Sequence, residues 1–465
     1  DTGARCSGYN QTAMWLQQYC PMMQQSCVKE ALLPISSRPR GPSWLAEAEA
    51  AGNVDWVEAP TVVQFMEKNC GNIAHYAGRA LMLEHVIANA AAYIGANSSR
   101  GVENVLLLPS WHVMKRFTLP HNYGFWHKSL LAALVGPARL RLSTLDRFVA
   151  HARKPYVGKL RVHLVHNLTR SAPPTTAAGT SPEAPRLVCF RTAITPSFLK
   201  ARFFVDDAEY PSAQPSLRSL PVEGAPRVPR DALRVRSRVH ALLHPDVPGV
   251  VANGGLPTPP PAAKRVVFID RFGARRALGA QDKERLTGLL AELATAKGFT
   301  FEKVAFDNMT FDEQVATMAT AAMAVGIHGA NLVNAAFMPA NSVLVELFPY
   351  RFTHDMYVEG GHAGVRYFSH QMLTGTEFPT LPKYRTAARC IMRSHDCKVH
   401  YRDSALVVTD VDLADLRSKF SSGFKFLHEV AKLRAAVKAG SKRDALDIPL
   451  GGGGRSVSDT GGVGK

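Results

Sequence analysis

Several features that would place this sequence of 465 residues in a familiar class are missing. It has no window of about 18 uninterrupted apolar residues, so hydropathy predicts neither a transmembrane helix nor a signal peptide. The seven cysteines are not spaced as two zinc-binding pairs, which weighs against a metal cluster. Because the chain begins at Asp1 rather than at Met, we expect that a segment upstream has been removed.

Acidic residues are scarce relative to basic ones. The chain has 55 Lys and Arg against 38 Asp and Glu, a formal net charge of +17. This balance predicts attraction to anions such as nucleic acid, an acidic membrane or a phosphorylated substrate, unless the basic residues are simply spread over solvated surface. No nucleic-acid-binding motif is present, so we expect no nucleic-acid partner. The length and the 46% hydrophobic content favour two folded domains, each with its own core.

Cysteines and glycosylation triplets favour an oxidising compartment. Cys390 and Cys397 are close enough in sequence to close a short loop, and further cysteines crowd near the start of the chain. Asn-x-Ser/Thr triplets, which suit a secretory-pathway protein, begin at Asn10, Asn97, Asn167 and Asn308.

Composition divides the chain into five regions. Residues 1–60 form an irregular lead-in with cysteines, and 61–205 a first α/β domain. Residues 206–262 form a Pro-rich connector holding one helix, 263–440 a second α/β domain, and 441–465 a disordered Gly-rich tail. In the first domain we predict a helix at 72–93 and strands at 104–108, 160–165 and 187–190. The connector helix is expected at 230–243.

The second α/β domain has a regular alternation of strands and helices. Apolar runs predict strands at 265–270, 299–306, 323–328 and 342–348. Between them we expect helices at 282–297, 311–322 and 330–338, the second opened by a capping box of Thr310 and Glu313. This alternation predicts parallel strands joined by crossover helices, which is a Rossmann-like sheet.

Candidate binding residues follow the third of these strands, where ligands of parallel sheets bind. Gly329 and Ala330 would let a phosphate approach the backbone, the next helix would point its positive end at it, and His328 or Asn331 could donate hydrogen bonds. The segment is neither G-x-G-x-x-G nor a Walker loop, so NAD and ATP lose support. The alternative is an ordinary strand-to-helix turn.

Charged residues on two further strands belong to the same predicted site. Arg271, Arg275 and Arg276 follow the first strand, where guanidinium groups can bind phosphate bidentately. The alternative is a solvated basic turn. Glu346 is a lone carboxylate in an apolar strand, for which a ribose hydroxyl pair or an ion pair with an arginine could be the partner.

These segments together resemble glycosyltransferase family 61. The resemblance rests first on Gly326-Ile327-His328-Gly329-Ala330-Asn331-Leu332-Val333-Asn334-Ala335-Ala336-Phe337-Met338, followed by Val343-Leu344-Val345-Glu346-Leu347-Phe348-Pro349. Five further matches stand in the expected order: Gly71-Asn72 with His75, Val188-Cys189-Phe190-Arg191, Phe268-Ile269-Asp270-Arg271 with Arg275-Arg276, Glu313-Gln314, and Met356-Tyr357-Val358-Glu359.

The resemblance implies an inverting transferase of the two-Rossmann-domain GT-B architecture, with the acceptor in the first domain. It implies a type II membrane protein of the Golgi or endoplasmic reticulum lumen, with its anchor absent from this chain. The donor would be a UDP-sugar, with UDP-xylose and an N-glycan acceptor expected. UDP-N-acetylglucosamine or UDP-arabinose transfer to a protein or cell-wall polysaccharide is the alternative, and a non-catalytic glycan-binding protein is the rival of another class. The implied nucleotide-sugar site consists of Arg271, Arg275, His328, Gly329, Ala330, Asn331 and Glu346.

The implied mechanism is a single displacement, with a base that takes the acceptor proton while Arg271 receives the diphosphate charge. The candidates for the base are His75, Glu84 and His112, of which we favour His75. Its alternative role is to order the start of its helix.

One motif suggests a metal. Asp410-Val411-Asp412 follows an apolar run in the Asp-x-Asp arrangement by which single-Rossmann transferases hold a divalent cation. Either aspartate could instead cap a helix at 413–420. We predict the cap, no metal site, and no cofactor beyond the UDP-sugar itself.

Overall fold

The computed structural model describes residues 50–52, 54–66, 73–88, 102–109, 113, 122–135, 140–152, 154, 160–167, 187–190, 193–194, 229–243, 264–271, 275–354, 357 and 365–438. Most of the predicted lead-in, the sequons at Asn10 and Asn97, His112 and the predicted tail lie outside these ranges.

The strands and helices are numbered in chain order. The strands are β1 (Val54–Val57), β2 (Thr61–Met66), β3 (Asn104–Pro109), β4 (Leu140–Thr144), β5 (Arg161–Asn167), β6 (Leu187–Phe190), β7 (Ala193–Ile194), β8 (Arg265–Ile269), β9 (Thr300–Val304), β10 (Ala321–Ile327), β11 (Val343–Phe348) and β12 (Arg366–Gln371). The α-helices are α1 (Ile73–Ala88), α2 (Asn122–Val135), α3 (Leu145–Ala152), α4 (Pro229–Leu243), α5 (Ala280–Ala296), α6 (Phe311–Ala319), α7 (Ala387–Arg393), α8 (His395–Asp403) and α9 (Asp410–Lys438). Short 3-10 helices span Phe306–Asn308, Ala330–Phe337 and Leu381–Tyr384.

The first sheet has five parallel strands in the order β4-β5-β3-β2-β7. Strands β2 and β3 are rich in Val and Leu, and consecutive residues such as Leu106 and Leu107 are both fully buried. Continuous burial is typical of a parallel sheet covered on both faces. The predicted strands β3, β5 and β6 and the predicted helix α1 are therefore confirmed.

The lead-in prediction is wrong at its end. Residues 54–57 form strand β1, which pairs in parallel with β6, rather than irregular structure. The pairing joins Val54 to Leu187, far apart in the sequence, so no local periodicity announces it.

The second sheet also has five parallel strands, in the order β12-β11-β10-β8-β9. Counted from β8, this is the 2-1-3-4-5 order of a doubly wound fold, with its reversal point between β8 and β10. Four of these strands are predicted by their apolar runs. The fifth, β12, is not, because most of its six residues are polar and only one of them is buried.

Helices of the second domain agree with their sequence signals, with three changes of detail. The Thr310 and Glu313 capping box is present, and Gly298 ends the α5 region with a positive φ of 74°. Helix α6 ends at Ala319, since β10 already begins at Ala321. The segment after His328 is a 3-10 helix rather than the expected α-helix. Helix α9 begins at Asp410 and runs on to Lys438.

Helix α4, predicted as part of a connector, packs against both halves of the molecule. Arg238 forms an ion pair with Glu84 of α1. On the same helix, Arg236 donates to the carbonyl oxygen of Met338, and a ring nitrogen of His240 lies 3.1 Å from that of Phe337. One apolar core cluster accordingly contains residues of both domains. The connector helix therefore joins the two sheets into one packed unit.

Two further features bear on the expected compartment. Cys390 and Cys397 form a disulfide between α7 and α8, which confirms the predicted short loop. Within the described residues, no helix combines the length and apolarity needed to cross a bilayer.

Candidate functional site

The candidate site lies at the reversal point of the second sheet. Strands β8 and β10 are neighbours and end at Ile269 and Ile327, so the residues that follow them meet at one edge. In doubly wound sheets the strand connections part at this point and leave a crevice for a ligand. Arg271 and His328, both predicted site residues, are the second and first residues after these strand ends.

Backbone and guanidinium groups hold this edge together. Arg271 and Arg276 each donate from Nη1 to the carbonyl oxygen of His328, at 3.3 Å. A Cβ on Gly329 would lie 2.3 Å from Arg271 Nη1, so the arginine occupies the space that a side chain would need. The φ of Gly329 is 169°, which any residue adopts, so a larger residue at this position would conflict with the present position of the Arg271 side chain rather than with the backbone conformation.

Positive charge at this edge exceeds negative charge. Three guanidinium groups share the carboxylate of Asp403: N–O distances are 3.7 Å for Arg275, 3.5 Å for Arg276 and 2.8 Å for Arg402. Arg271, whose guanidinium contacts a carbonyl oxygen, adds a fourth positive charge. Asp270 does not compensate it, because Lys283 lies 2.9 Å from that carboxylate. The edge therefore favours binding of an anion.

The side chain and the backbone of Arg276 both reflect its crowded, positively charged surroundings. Burial, and then repulsion from Arg271, lowers the pKa of its guanidinium to about 10, although Asp403 opposes this. Its backbone has φ of 54°, in the left-handed region that residues other than glycine rarely adopt. Such conformations are concentrated at functional sites. A bound anion would relieve the repulsion between these guanidinium groups.

His328 is anchored by its ring and its backbone. Its Nδ1 lies 2.6 Å from Glu346 Oε1, and its ring stacks at 25° on both Phe348 and His354. Burial lowers the pKa of His328 to about 3, so the imidazole is neutral at neutral pH. Repulsion from nearby guanidinium groups adds to this effect, from Arg276, Arg271 and Arg402.

Glu346 is fully enclosed. Its side chain has 0% exposure, and its second oxygen accepts a hydrogen bond of 2.6 Å from the hydroxyl of Tyr367. Burial raises the pKa of Glu346 to about 8, although the Tyr367 bond opposes it. Burial, together with Glu346, raises the pKa of Tyr367 far above its usual value, so that hydroxyl remains a donor. Glu346 therefore pairs with His328 and Tyr367 rather than with the arginine that the sequence suggested, and the ribose role remains a prediction.

The turn after His328 leads directly into contacts with the first domain. Asn331 donates to Asp307 at 3.4 Å. Asn334 donates to Gln314 at 2.9 Å and accepts from Trp126 Nε1 of α2 at 3.2 Å. The Ala330–Phe337 helix therefore links the site to the neighbouring sheet. Because it is a 3-10 helix with poorer bond alignment, the expected dipole contribution is weaker and the arginines supply most of the positive charge.

The three candidates for the catalytic base, Glu84, His75 and His112, differ in their surroundings. Glu84 is fully buried and pairs with Arg234 and Arg238, which makes it an interdomain ion pair and argues against the role of base. His75 lies in the first turn of α1. His112 lies outside the described residues.

The Asp-x-Asp motif serves the structure. Asp412 accepts from the backbone N and the hydroxyl of Thr409, at 2.9 Å and 2.6 Å, and its own N–H is bonded to the Thr409 hydroxyl. This reciprocal arrangement is a capping box at the start of α9, with Thr409 as the N-cap residue and Asp412 at the third helical position. The prediction that either aspartate is itself the N-cap of a helix at 413–420 is therefore wrong, because the helix begins at Asp410, although Asp412 does take part in the cap. Asp410 is 95% exposed and pairs with Arg285. In the described ranges, no group of His, Cys, Asp and Glu side chains could hold a metal ion.

Several site residues were not predicted. Tyr367 lies on the unpredicted strand β12, and Arg402 and Asp403 lie at the end of α8, more than a hundred residues after Arg271. Tyr357, whose hydroxyl donates to the Gly329 carbonyl oxygen at 2.9 Å, appears in the sequence only as part of the Met356 to Glu359 match. That match is the one signal that could have identified any of them.

Comparison with known proteins agrees with this site. The family model described as Glycosyltransferase 61 matches residues 111–345. Curated relatives share the name protein O-linked-mannose beta-1,4-N-acetylglucosaminyltransferase 2. The protein of Tetraodon nigroviridis is 32% identical over 105 residues, 20% of this chain and 18% of that protein. The protein of Mus musculus is 41% identical over 69 residues, which are 15% of this chain and 12% of that protein. The protein of Homo sapiens is 39% identical over 67 residues, which are 14% of this chain and 12% of that protein.

These alignments therefore span less than a fifth of the relatives' own length. The family match is broader, since its limits enclose β8, Arg271 and the His328 turn. It covers just over half of the 465 residues. On this match, supported by the basic edge at the reversal point, the chain belongs to glycosyltransferase family 61.

Proposed function

We propose that this protein is an inverting GT-B transferase that binds a UDP-sugar at the crevice between the ends of β8 and β10. Two five-stranded parallel sheets, with α4 packed against elements of both, support the GT-B architecture. The observation that carries the proposal is the excess of guanidinium groups over carboxylates at this edge, where Arg275, Arg276 and Arg402 share Asp403.

The diphosphate of the donor is the anion that this edge suits. Arg271 and Arg276 converge on the His328 carbonyl oxygen, so their remaining N–H groups can bind phosphate oxygens at the same place. Guanidinium groups keep their charge at every physiological pH, and the partly buried site strengthens their effect. Because Gly329 has no side chain, the Arg271 guanidinium lies directly against the backbone of the turn.

Transfer would follow a single displacement. The acceptor hydroxyl oxygen attacks the anomeric carbon as the bond from that carbon to the diphosphate oxygen breaks. A base takes the hydroxyl proton, and UDP leaves with the bonding electrons. Arg271 and Arg276 stabilise the negative charge that develops on the leaving diphosphate. His75 is our candidate for the base, since Glu84 is already held by two arginines. The reaction needs no metal, because the guanidinium groups supply the positive charge.

The named relatives support N-acetylglucosamine as the first donor to test. UDP-xylose, which the sequence resemblance favours, and UDP-arabinose are the next candidates. The acceptor is a glycan hydroxyl, with an N-glycan or an O-linked mannose as the two forms to compare. The disulfide between Cys390 and Cys397 supports a location in an oxidising compartment, the lumen of the Golgi or of the endoplasmic reticulum.

A donor and acceptor screen tests the proposal. Each UDP-sugar, radiolabelled in the sugar, is incubated with the protein and with N-glycan or O-mannosyl acceptors, and UDP binding is measured by calorimetry. We expect UDP to bind and one donor to give labelled glycan of inverted anomeric configuration. A protein that binds glycans but neither binds UDP nor transfers from any donor would instead be the non-catalytic binding protein.

A further inference from the structure

The strongest unexplained feature of the site is a carboxylate that no ligand can reach. Glu346 has no exposed side-chain surface, and its two oxygens are bonded at 2.6 Å to His328 Nδ1 and to the Tyr367 hydroxyl. A residue that holds a ribose needs an open carboxylate oxygen in the crevice. Glu346 lies instead behind His328, whose side chain keeps 7% of its surface exposed.

The geometry leaves one polar atom of His328 for a ligand. Nδ1 faces Glu346, so Nε2 lies on the opposite side of the ring. Within the described residues, Nε2 makes no hydrogen bond. It is also not enclosed, because it is absent from the buried polar atoms that lack a partner. Whether Nε2 carries a proton depends on the partner of Nδ1, because a neutral imidazole has a single N–H.

Two arrangements of the shared proton are available. If the Glu346 carboxyl is protonated, it donates to Nδ1, and Nε2–H is left as a donor. If Glu346 is ionised, Nδ1–H donates to it, and Nε2 becomes an acceptor that repels phosphate oxygens. Tyr367 donates to the second oxygen of Glu346 in both arrangements. The protonation of Glu346 therefore selects what His328 presents.

We infer that Glu346 is a positioning residue that holds His328 as the Nε2–H tautomer, so that His328 donates a hydrogen bond to the donor diphosphate, and that Tyr367 orients the Glu346 carboxyl by donating to the oxygen that faces away from His328. This inference rests on the proposed diphosphate site. Burial of Glu346, which raises the pKa of its carboxyl to about 8, agrees with a protonated carboxyl at neutral pH. Affinity for UDP then falls as the pH rises through about 8, because ionised Glu346 takes the only ring proton to Nδ1.

Other titratable or charged groups surround the pair. They are Tyr367 on β12, Tyr357 and His354 after β11, Arg271 and Arg276 after β8, and Arg402 on α8. The two tyrosines have pKa values raised by burial and stay neutral. The arginines stay charged up to the pKa of about 10 for Arg276. A comparison of UDP affinities that ends at about pH 9 therefore reports the ionisation of Glu346 and not that of the arginines. A His354→Phe variant, which keeps a ring stacked on His328, serves as the control for the contribution of His354.

Glu346→Gln is the decisive variant. Its amide can donate to Nδ1 at every pH and accept from Tyr367, so it copies the protonated carboxyl. Binding of UDP and of uridine is measured by calorimetry between about pH 7 and pH 9. For the unmodified protein we expect about tenfold weaker UDP binding at the upper pH, the loss of one hydrogen bond to a charged group. For Glu346→Gln we expect undiminished binding and no pH dependence. Uridine, which lacks the diphosphate, should bind equally to both.

A ribose role predicts the opposite result. Weaker uridine binding by Glu346→Gln, with the pH dependence of UDP binding retained, would overturn the inference. Tyr367→Phe, which removes one donor and keeps the ring, should leave Glu346 harder to ionise and move the fall in UDP affinity to higher pH. An unmoved profile counts against Tyr367.

A spectroscopic measurement separates this inference from the proposed function. Long-range ¹⁵N–¹H correlation spectra of the ¹⁵N-histidine-labelled protein report which ring nitrogen is protonated. The chain has 17 histidines, and the signal of His328 is the one absent from a His328→Gln variant. We expect Nε2–H at about pH 7, changing to Nδ1–H at about pH 9. Failure of UDP to bind at any pH refutes the diphosphate site, whereas a constant Nδ1–H tautomer refutes the role of Glu346.

Discussion

The two sheets of this protein share an architecture and differ in what their charged residues do. Each has five parallel strands. In the first domain, the buried carboxylate of Glu84 pairs with two guanidinium groups, those of Arg234 and Arg238 of α4. At the edge of the second sheet, three guanidinium groups share one carboxylate, that of Asp403, and Arg271 adds a fourth positive charge. The cluster with the smaller excess of positive charge joins two helices, whereas the edge with the larger excess suits an anion. The excess charge of this edge, rather than the fold alone, is what suggests its chemistry.

The position of the Ala330–Phe337 helix adds to this contrast. It begins at the basic edge, accepts a bond from Trp126 of the first domain through Asn334, and ends where Arg236 and His240 of α4 meet its last carbonyl groups. The proposed donor site at its start and the domain packing along its length thus share one short element. Variants at the edge should affect the reaction, and variants at Glu84 should affect folding.

The largest effect is expected from Arg271→Ala. In the proposed mechanism this guanidinium stabilises the leaving diphosphate, so transfer by the variant should slow by about 100- to 1,000-fold, which is about 2.7 to 4 kcal/mol of transition-state stabilisation. Steady-state transfer rates measure it, with thermal unfolding as a check on folding. Arg417→Ala is the matched control, because Arg417 forms an exposed pair with Glu292. Near-normal transfer by folded Arg271→Ala protein would remove this arginine from the diphosphate site.

Glu84→Ala should act on stability instead. Glu84 is fully buried between α1 and α4, and breaking a buried ion pair should lower the free energy of unfolding by about 3 kcal/mol. Urea unfolding measures this loss, and Glu429→Ala, at an exposed pair with Lys432, should cause no measurable change. If Glu84→Ala protein is as stable as the parent but has lost transfer, Glu84 is a catalytic base and the comparison fails.

Asp412→Asn should cost about 2 kcal/mol of unfolding free energy with transfer retained. The sequence alone predicts roughly 1 kcal/mol or less, the value of an exposed cap. The larger figure follows from burial, because Asp412 also accepts from His370 at 2.8 Å and from the Leu373 N–H at 3.1 Å. Asp410→Asn, at a 95% exposed side chain, is the control.

The stability difference between Asp412→Asn and the parent should depend on pH. Burial opposes ionisation of Asp412, but hydrogen bonds from Thr409, His370 and Leu373 outweigh it and lower the pKa. A carboxyl whose pKa is lowered on folding stabilises the protein at neutral pH, and loses that contribution as the pH falls through its folded pKa. The difference should therefore shrink in acid. A difference that is constant with pH would show that Asp412 does not act through its charge.

The smallest expected effect is that of chelation. With arginines at the diphosphate, transfer should persist in excess EDTA at an unchanged rate. Assays with and without EDTA, and with added manganese, measure this directly. Activity that is lost in EDTA, restored by manganese and abolished by Asp412→Asn would contradict both the metal-free mechanism and the GT-B proposal.

Much of the second domain can be predicted because its signals are local. The face formed by Leu286, Leu289 and Leu290, the capping box at Thr310, and the apolar runs of β8, β10 and β11 each depend on residues a few positions apart. Arg271 and His328 could be assigned to one edge because parallel strands present their carboxyl ends together. Strand β12 could not be predicted, since its residues are mostly polar and only one of the six is buried, which leaves no apolar pattern in the sequence.

The sequence by itself therefore determined the class of fold, the family and the strand ends at which we propose that the donor binds. Only the tertiary structure decided which partners surround each buried carboxylate. Glu84 and Glu346 are both acidic residues among apolar neighbours in the sequence, yet one meets arginines and the other a histidine and a tyrosine. Arg238 of α4 is 154 residues from Glu84, whereas His328 and Tyr367 are 18 and 21 residues from Glu346. Local patterns arise from neighbouring residues, whereas the partner of a buried charge depends on how distant elements pack.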